Sequence, residues 1–480
     1  MTPKPNLLPP NSALRAAVDY IRDQATYPIE EVALGAGLGL FAGIAGRAYQ
    51  TPGRMAGLNL YIMVAAPTGM GKDAGRQGMY SLLDAVVRGE NPHAAPNMPS
   101  AREFIGPARF ASVPAVMRHL EKVRSFVSIM TEGGKEFSRM TDPRASSHDR
   151  DVATKWLDIY GSSSFGGVVG GTAYANASDN IGDVVRPAVT IYAEGTQKTV
   201  YANYTDNCVS DGLWPRFMML DRNENDWPQI NEYPQYEPSP ELVQYLTALC
   251  ERSHTLNQQD QVVQVGAADD ARDALAAYEK ETRRIMETCG DDVVRALWTR
   301  SALRAKKLAS LVAVGVHFDM PTVTLEHALW AINLERYTVG VVIGRVSRGE
   351  VGGDENNELR QAEELKRTVV NYLVAEYHEL SNAGRVTRSM HAAHIIPWSY
   401  LLSGVGRRAA FKHGKPNPVA ALERTVRSFI DAGWFVEVDQ ATKQAHGKSG
   451  KAYAVTNAQY FLDRPDAEES KPTNPQFFTE

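Results

Sequence analysis

The chain has 480 residues, of which 43% are hydrophobic and 22% charged, and a formal net charge of -5. This composition is that of an ordinary globular protein with sizeable cores. The length predicts about three domains. The net charge excludes a protein that coats nucleic acid with a uniformly basic surface. Three cysteines, Cys208, Cys250 and Cys289, stand far apart, which excludes a disulfide framework and a cysteine-rich zinc site and is typical of a reducing compartment.

Residues 1–57 predict a helical lead-in to a larger domain. The first residues lack the charged-then-apolar pattern of a secretory signal peptide, so we expect a cytoplasmic protein. Residues 12–50 predict two helices, the first with one apolar face. The uncharged run Val32–Gly46 contains five glycines and is shorter than the roughly 20 apolar residues of a membrane span. We therefore interpret it as a buried helix and expect no membrane association.

Residues 58–222 predict an α/β core with a mostly parallel sheet. Short apolar segments are the candidate strands, and helical stretches separate them. Apolar strands that alternate with helices are typical of a parallel sheet covered on both faces. The candidate strands are Asn59–Ala66, Phe126–Met130, Ala188–Ala193 and Phe217–Leu220, and the helix after the first strand is Asp73–Val87.

The sharpest motif follows the first of these strands and opens the helix at Asp73. A strand, a glycine-containing turn and a helix form the context that a phosphate-binding P-loop requires. Backbone N–H groups of small residues curl around phosphates, and the helix N-terminus favours the anion. Lys72 would reach the outer phosphates of ATP as a point charge. The predicted nucleotide-binding residues are Pro67, Thr68, Gly69, Met70, Gly71, Lys72 and Asp73.

The loop departs from the pattern G-x-x-x-x-G-K-S/T at two positions. Ala66 replaces the first glycine, which is a mild change. Asp73 replaces the serine or threonine whose hydroxyl binds Mg²⁺. A carboxylate is itself a good Mg²⁺ ligand, so Asp73 is the candidate metal ligand, but its charge lies beside the phosphates. The alternative to a nucleotide site is a tight strand-to-helix turn with an incidental lysine.

ATP hydrolysis also needs an acid at the end of a neighbouring strand. The strand Phe126–Met130 is followed by Thr131, where an aspartate is usual, and by Glu132. Glu132 is the candidate group that orients and deprotonates the attacking water. One hypothesis is a swap in which Asp73 takes over Mg²⁺ from position 131. The alternative is a decayed ATPase.

Two further polar residues mark the ends of later strands. Gln197 follows the third strand and would sense the γ-phosphate and report it to a DNA loop. The alternative for this segment is a helix N-cap followed by a solvated glutamine. Arg216 begins the fourth strand and could complete a neighbouring subunit's site as an arginine finger. The alternative for Arg216 is a structural salt bridge.

With these motifs, residues 10–345 resemble a family of phage and prophage helicase-like P-loop proteins, some of which carry a primase–polymerase domain in front of the motor. The resemblance implies a RecA-like core, a homo-oligomeric ring of six subunits, and DNA unwinding or translocation that depends on ATP and Mg²⁺ in a bacterial host's cytoplasm. It rests on the P-loop and on the order of weaker segments. These are Gly46-Arg-Ala-Tyr, Asn59-Leu-Tyr, the strand ending in Glu132, Thr196-Gln197, Trp214-Pro-Arg-Phe and Lys306-Lys-Leu-Ala-Ser-Leu-Val-Ala.

The segment 137–187 is a candidate DNA-contacting region. In a RecA-like ring, the loops between the acid strand and the glutamine strand line the central channel. The glycine-rich run Gly161–Gly171 is flexible enough to form mobile loops. Cations here would give salt-sensitive, sequence-independent DNA contacts, whereas the alternative is a surface insertion with solvated charges. The cations are Arg139, Arg144, Arg150, Lys155 and Arg186.

The following residues predict a linker and a helical domain. Residues 223–240 are rich in proline, asparagine and acids, which is typical of a linker. Residues 241–348 predict a helical domain, and the polar run Gly349–Glu358 predicts a boundary after it. The predicted helices of this domain are Ala271–Cys289, Val293–Phe318 and Leu325–Arg345.

Residues 359–462 predict a winged-helix DNA-binding domain. The pattern comprises the helices Leu359–Leu380 and Ala420–Ala432, and then two strands, Trp434–Val438 and Ala452–Val455, joined by a basic turn. Residues 385–451 carry eleven lysines and arginines against four acids, which indicates a polyanionic partner. The alternative is a protein-docking module. The predicted DNA contacts are Arg424 and Arg427 on the recognition helix and Lys443, Lys448 and Lys451 on the wing.

The acidic segment 463–480 predicts a disordered tail. Its aromatic residues, Phe477 and Phe478, could dock on a replication protein. Together the motifs predict a phage-type replicative DNA helicase or translocase. The alternatives are a non-hydrolysing, nucleotide-binding replication scaffold and an AAA+-like loader or packaging motor.

Overall fold

The computed structural model shows a mixed α/β protein with two compact units, Met1–Val351 and Gly352–Glu480. The predicted segments 1–57, 58–222 and 241–348 all belong to the first unit. Arg144, Cys208 and the segment 463–480, for which predictions were made, lie outside the described residues. The structure describes residues 5–53, 56–89, 98–141, 146–202, 212–223, 226–347, 350–351, 354–381, 386–405, 409–412 and 417–462.

The first unit is built on a parallel sheet. Its strands are β1 (Tyr49–Gln50), β2 (Tyr61–Ala65), β3 (Ser125–Met130), β4 (Val168–Val169), β5 (Val184–Val185), β6 (Ala188–Gly195), β7 (Phe217–Asp221), β8 (Val263–Gln264), β9 (Gly266–Ala267) and β10 (Thr322–Val323). Among the described residues the main sheet has four strands in the order β3-β6-β2-β7, and every neighbouring pair is parallel. The predicted strands and their parallel arrangement are therefore confirmed. All four strands end at the same side of the sheet, here called its carboxyl end.

Helices cover both faces of this sheet. Alternate residues of β2 enter two different cores: Ile62 packs with the helices of one face, and Met63 with those of the other. The helices are α1 (Ala13–Asp23), α2 (Glu30–Ala45), α3 (Asp73–Arg88), α4 (Val113–Lys122), α5 (Gly133–Thr141), α6 (Ser147–Gly161), α7 (Gln197–Tyr201), α8 (Pro240–Gln258), α9 (Asp269–Thr288), α10 (Asp292–Trp298), α11 (Ser301–Val316) and α12 (Leu325–Ser347), with short 3-10 segments at Pro99–Phe104, Ala177–Asp179 and Trp214–Arg216.

The glycine-rich run near the N-terminus is the buried helix α2, as predicted. Its glycines let the helix lie directly on the sheet. A Cβ atom on Gly43 would lie 2.9 Å from the backbone nitrogen of Val127, and one on Gly35 would lie 2.9 Å from Val64 Cγ2. Every described helix is too short or too polar to cross a lipid bilayer.

Two predictions about the helical region were wrong in detail. The single helix predicted over Val293–Phe318 is two helices, α10 and α11. The break places Ser301 in a buried network, where its hydroxyl donates to Glu335 Oε2 at 3.0 Å. The predicted linker 223–240 packs on the end of the first helix, where the side-chain amide of Asn231 donates to the carbonyl of Asp23 at 2.7 Å.

The second unit contains a small antiparallel sheet. Its helices are α13 (Asp354–Val374), α14 (Tyr377–Ser381), α15 (Arg388–Ala392), α16 (Trp398–Val405), α17 (Ala409–Lys412), α18 (Pro418–Asp431), α19 (Gln440–Ala445) and α20 (Ala458–Leu462), and its strands are β11 (Ile395–Pro397), β12 (Phe435–Glu437) and β13 (Ala452–Val455). The strand order is β11-β13-β12, with both pairs antiparallel. The predicted hairpin β12–β13 is confirmed.

Three features of the second unit differ from the predictions. The helix predicted over Leu359–Leu380 is divided into α13 and α14. Strand β11 was not predicted, because three residues are too few to show an alternating pattern. The predicted basic turn contains helix α19, whose N-cap Asp439 accepts a hydrogen bond from the amide of Thr442 at 2.7 Å.

A candidate phosphate-binding site at the carboxyl end of the sheet

The loop between β2 and α3 has the backbone conformation that its glycines predict. Gly69 and Gly71 have φ angles of +85° and +80°, in the left-handed region where a side chain is strained. Thr68 and Gly69 are exposed, whereas the side chain of Met70 is buried in the core. Met70 therefore anchors the loop from below.

Lys72 lies across this loop. Its Nζ donates to the carbonyl oxygen of Ala66 at 2.9 Å and to that of Pro67 at 3.0 Å. Partial burial lowers the pKa of Lys72, and the nearby charges of Glu194, Glu132 and Asp73 oppose that shift. The ammonium group is thus held at the loop by two neutral carbonyl oxygens, which a phosphate group could replace as acceptors.

Three backbone amides of this loop have no acceptor among the residues that the structure describes. Within the described part of the chain, the amides of Gly69, Gly71 and Lys72 donate no hydrogen bond. The loop leads into the N-terminus of the 16-residue helix α3, where the helix dipole favours an anion. Free amides, a lysine and a helix N-terminus together form a candidate phosphate-binding site.

Asp73 and Glu132 lie at the same end of the sheet. Asp73 is the exposed first residue of α3, so it stands at the mouth of the loop. Glu132 follows β3, and its exposed carboxylate pairs with Lys135 at 2.9 Å. The expectation that Glu132 follows a strand next to β2 was wrong, because β6 lies between β2 and β3.

A buried acid that the sequence analysis missed stands closer to the loop. Glu194 belongs to β6, the direct neighbour of β2, and its register partner is Val64. The residue is 1% exposed, and its Oε1 accepts a hydrogen bond from the hydroxyl of Tyr192 at 2.7 Å. Its Oε2 has no partner among the described residues. Burial, with the nearby charge of Asp73, raises the pKa of Glu194 to about 7.

Comparison with known proteins gives no family assignment. No model of a known protein family matches the sequence. No curated protein matches it significantly either. The function must therefore be argued from the chain's own residues and their geometry.

Gln197 connects the ends of two strands. Thr196 is the N-cap of α7, and the amide of Thr199 donates to its hydroxyl at 3.3 Å, as the alternative interpretation expected. Gln197 itself is not solvated: it is 5% exposed, and its Nε2 donates to Asp221 Oδ1 at 3.0 Å. This bond joins the carboxyl ends of β6 and β7. The role of Gln197 as a phosphate sensor stays a prediction.

Arg216 lies at the opposite end of the sheet from the P-loop. It ends the 3-10 segment that leads into the amino end of β7, and its guanidinium donates to the carbonyl of Gly212. The guanidinium carbon is 5.8 Å from the ring centroid of Tyr160. The structure therefore does not bring Arg216 to Lys72 of the same chain. Its role as a finger in a neighbouring subunit's site stays a prediction.

The predicted DNA-contacting cations of the first unit have different surroundings. Arg139 pairs with Glu136 at 2.6 Å, and Lys155 pairs with Asp158 at 3.3 Å. Arg150 is exposed on α6. Arg186 is not available to DNA in this structure, because it is 7% exposed and its guanidinium pairs with Asp260 at 2.7 Å.

The glycine-rich run Gly161–Gly171 forms one side of an ordered hairpin. β4 and β5 pair antiparallel, and the hairpin leads into the amino end of β6. A Cβ atom on Gly171 would lie 2.1 Å from the carbonyl oxygen of Ile181, so this glycine serves close backbone packing. The mobility expected of this segment stays a prediction. The hairpin lies at the end of the sheet opposite the P-loop.

Cations from helix α18 and from the segment before β13 lie together in the second unit. Arg424 and Arg427 are exposed on α18. Lys451 Nζ is 3.3 Å from Glu423 Oε1 on the same helix. The remaining predicted wing residues are half-buried: Lys443 lies on α19, and Lys448 follows that helix.

Proposed function

We propose that the chain is an ATP- and Mg²⁺-dependent motor of the RecA-like P-loop type that acts on DNA as a helicase or translocase. The observation that carries this proposal is the loop between β2 and α3. There Lys72 bonds only to loop carbonyl oxygens, and the amides of Gly69, Gly71 and Lys72 have no acceptor among the described residues. Such a loop has the donors for a triphosphate already in place.

The order of the strands leaves room for a reaction at this loop. Neighbouring strands are about 4.8 Å apart, so β3 runs about 10 Å from β2 across the intervening β6. Glu132 follows β3 and Lys72 follows β2, so the intervening β6 separates the two strands that lead to them. This spacing supports Glu132 as the group that orients the attacking water.

The residues at the loop also fit a magnesium ion. Asp73 presents an exposed carboxylate at the mouth of the site, and carboxylates together with phosphate oxygens are the ligands that Mg²⁺ prefers. When bound, the ion would neutralise charge on the phosphates. Asp73 would hold it there, and Lys72 would bind the phosphates from the other side.

The second unit supports a role on DNA. Among its elements, α13, β11, α16, α18 and the hairpin β12–β13 follow one another in the order expected of a winged-helix domain. Arg424 and Arg427 project from α18, the candidate recognition helix, and Lys451 adjoins it. A helix in the major groove with a basic wing on the phosphates would use these cations together. We propose a ring of six subunits, in which Arg216 would serve the neighbouring site.

A second candidate function is a nucleotide-binding replication scaffold that does not hydrolyse ATP. Thr131 stands where an aspartate is usual, and Glu132 pairs with Lys135 rather than pointing alone into the site. Such a protein needs only Lys72 and the basic face of the second unit. An AAA+-like loader is a further reading, and it would need a partner helicase for its effect.

DNA-stimulated ATP hydrolysis distinguishes these functions. We expect the wild-type chain to hydrolyse ATP and to lose at least about 100-fold of its rate in Lys72→Ala and in Glu132→Gln. Asp73→Ser should keep activity if Mg²⁺ binding needs only an oxygen ligand at this position. The double variant Arg424→Ala/Arg427→Ala should lose stimulation by DNA and keep the DNA-free rate.

Two results would overturn the motor. A wild-type chain that binds ATP but never hydrolyses it, with or without DNA, would favour the scaffold. A chain that does not bind ATP at all would show that the loop is only a tight turn.

A further inference from the structure

We propose that Glu194 is the second protein ligand of the divalent-cation site, beside Asp73. It would take over the role of the aspartate that is usual at the position of Thr131. The ligand would be Mg²⁺ together with the phosphates of a bound nucleotide. This inference rests on the proposed nucleotide-binding function. It concerns a residue that lies outside the sequence motifs of the P-loop.

The fold places Glu194 directly beneath the phosphate loop. Its strand, β6, is hydrogen-bonded to β2, and the amide of Ala66 donates to the carbonyl of Gly195 at 3.1 Å. The first turn of α3 lies over the carboxyl group. A Cβ atom on Gly75 would lie 3.1 Å from Glu194 Oε1 and 2.2 Å from the hydroxyl of Tyr192. Glycine at this position lets the helix that follows the phosphate loop approach the acid.

The carboxyl group is buried with one oxygen unused. Tyr192 satisfies Oε1, whereas Oε2 has no partner among the described residues. Buried carboxyl oxygens are normally paired, so an unpaired one adjoining a ligand site needs an explanation. A cation or a water bound to that cation would supply the missing partner.

The charges around Glu194 belong to the phosphate loop and the first turn of α3. Asp73, Lys72 and Arg76 are the charged groups close enough to shift its pKa. Protein sites for Mg²⁺ supply one or two carboxylates and leave the remaining positions to phosphates and water. Glu194 and Asp73 make up such a pair.

The small number of protein ligands also predicts when the cation binds. Within the described residues there is no group of three or more histidine, cysteine, aspartate or glutamate side chains that could hold a metal ion. The nucleotide must then provide the other ligands. We therefore expect the cation to bind only together with ATP.

The test is calorimetric titration of the full chain with ATP, once in EDTA and once in excess Mg²⁺. In the wild type, Mg²⁺ should tighten ATP binding at least about tenfold. In Glu194→Gln, the affinity in EDTA should be equal or slightly higher, because a negative charge near the phosphates is gone. The gain from Mg²⁺ should fall to less than about twofold.

Tyr192→Phe is the matched control. It removes the hydroxyl that binds Glu194 Oε1 and leaves the carboxylate in place. A merely structural Tyr192–Glu194 pair would make both variants lose ATP affinity alike, in EDTA and in Mg²⁺. The cation role predicts that Tyr192→Phe keeps the gain from Mg²⁺ and that only Glu194→Gln loses it.

The outcomes separate this inference from the proposed function. If the wild type binds ATP and Glu194→Gln keeps the full gain from Mg²⁺, the cation role of Glu194 is overturned and the nucleotide site stands. If the wild type binds no ATP in either medium, the proposed function and this inference both fail. Thermal unfolding of each variant shows whether it is folded at the temperature of the titration.

Discussion

Lys307 and Glu194 are buried ionisable residues at opposite ends of the parallel sheet, and they differ in whether protein groups satisfy them. At the amino end, Lys307 Nζ donates to the carbonyl oxygen and to Oδ1 of Asn59, both at 2.8 Å, although the hydroxyl of the neighbouring Tyr160 has no partner among the described residues. At the carboxyl end, Glu194 keeps an unpaired oxygen and the loop amides have no described acceptor. The comparison teaches that burial alone does not identify a site. The unpaired oxygen of Glu194 points to a ligand because it adjoins the candidate phosphate loop, whereas the unpaired hydroxyl of Tyr160 lies at the other end of the sheet.

The amino end also contains a complete ion pair. Arg304 and Glu335 are buried, with Arg304 Nη2 and Glu335 Oε2 3.0 Å apart. The hydroxyl of Ser301 donates to the same carboxylate, and Arg304 Nη1 donates to the carbonyl of Pro215 at 2.7 Å. These bonds fix α11 to α12 and to the segment before β7, so we assign them a structural role.

The largest expected effect comes from breaking this pair. Glu335→Ala leaves the guanidinium of Arg304 buried without a counter-charge, and we expect a loss of about 3–5 kcal/mol in the free energy of unfolding, measured by denaturant titration. The exposed pair Arg336–Glu281 provides a control, since Glu281→Ala should cost less than about 1 kcal/mol. Equal losses in the two variants would contradict the structural role of the amino end.

The next effect depends on pH and concerns Glu194. Its folded pKa of about 7 lies above its ordinary value of 4.5, so its protonated form stabilises the fold. That contribution is fully present below pH 4.5 and is lost as the pH rises to 7. Relative to Glu194→Gln, the wild type should lose about 2–3 kcal/mol of unfolding free energy between pH 5 and pH 8. A difference that does not change with pH would contradict the raised pKa of Glu194.

The smallest expected effect on stability comes from Lys72. Its bonds to Ala66 and Pro67 lie in a half-exposed loop, so Lys72→Met should change the free energy of unfolding by less than about 1 kcal/mol. The same variant should abolish ATP binding. A loss of stability as large as that of Glu335→Ala would make Lys72 part of the structural framework, and the contrast between the two ends would fail.

Local patterns in the sequence predicted much of the fold. The strands β2, β3, β6 and β7 stood out because strands buried on both faces are continuous apolar runs. The P-loop was visible because its glycines and lysine are adjacent in the chain, and the φ angles of Gly69 and Gly71 agree with that reading. The hairpin β12–β13 was visible for a similar reason, since its strands follow one another closely.

Contacts between distant residues were not visible in the same way. Arg186 and Asp260 are 74 positions apart, so nothing near Arg186 in the sequence shows that its charge is already paired. Gln197 looked solvated because its partner, Asp221, lies on another strand. Helices α10 and α11 appeared continuous, because the buried partners of Ser301 that accompany the break come from other helices.

The sequence by itself determined the α/β class, the glycine-containing turn of the candidate phosphate loop and the positions of most strands, because these depend on residues that are neighbours along the chain. Only the tertiary structure decided which acids accompany the loop. Glu194 was one polar residue in an apolar strand until the pairing of β6 with β2 placed it beneath Gly75. The parallel register likewise decided that Arg216 lies at the far end of the sheet from the loop of its own chain. Strand order is set by packing between distant segments, and no local pattern encodes it.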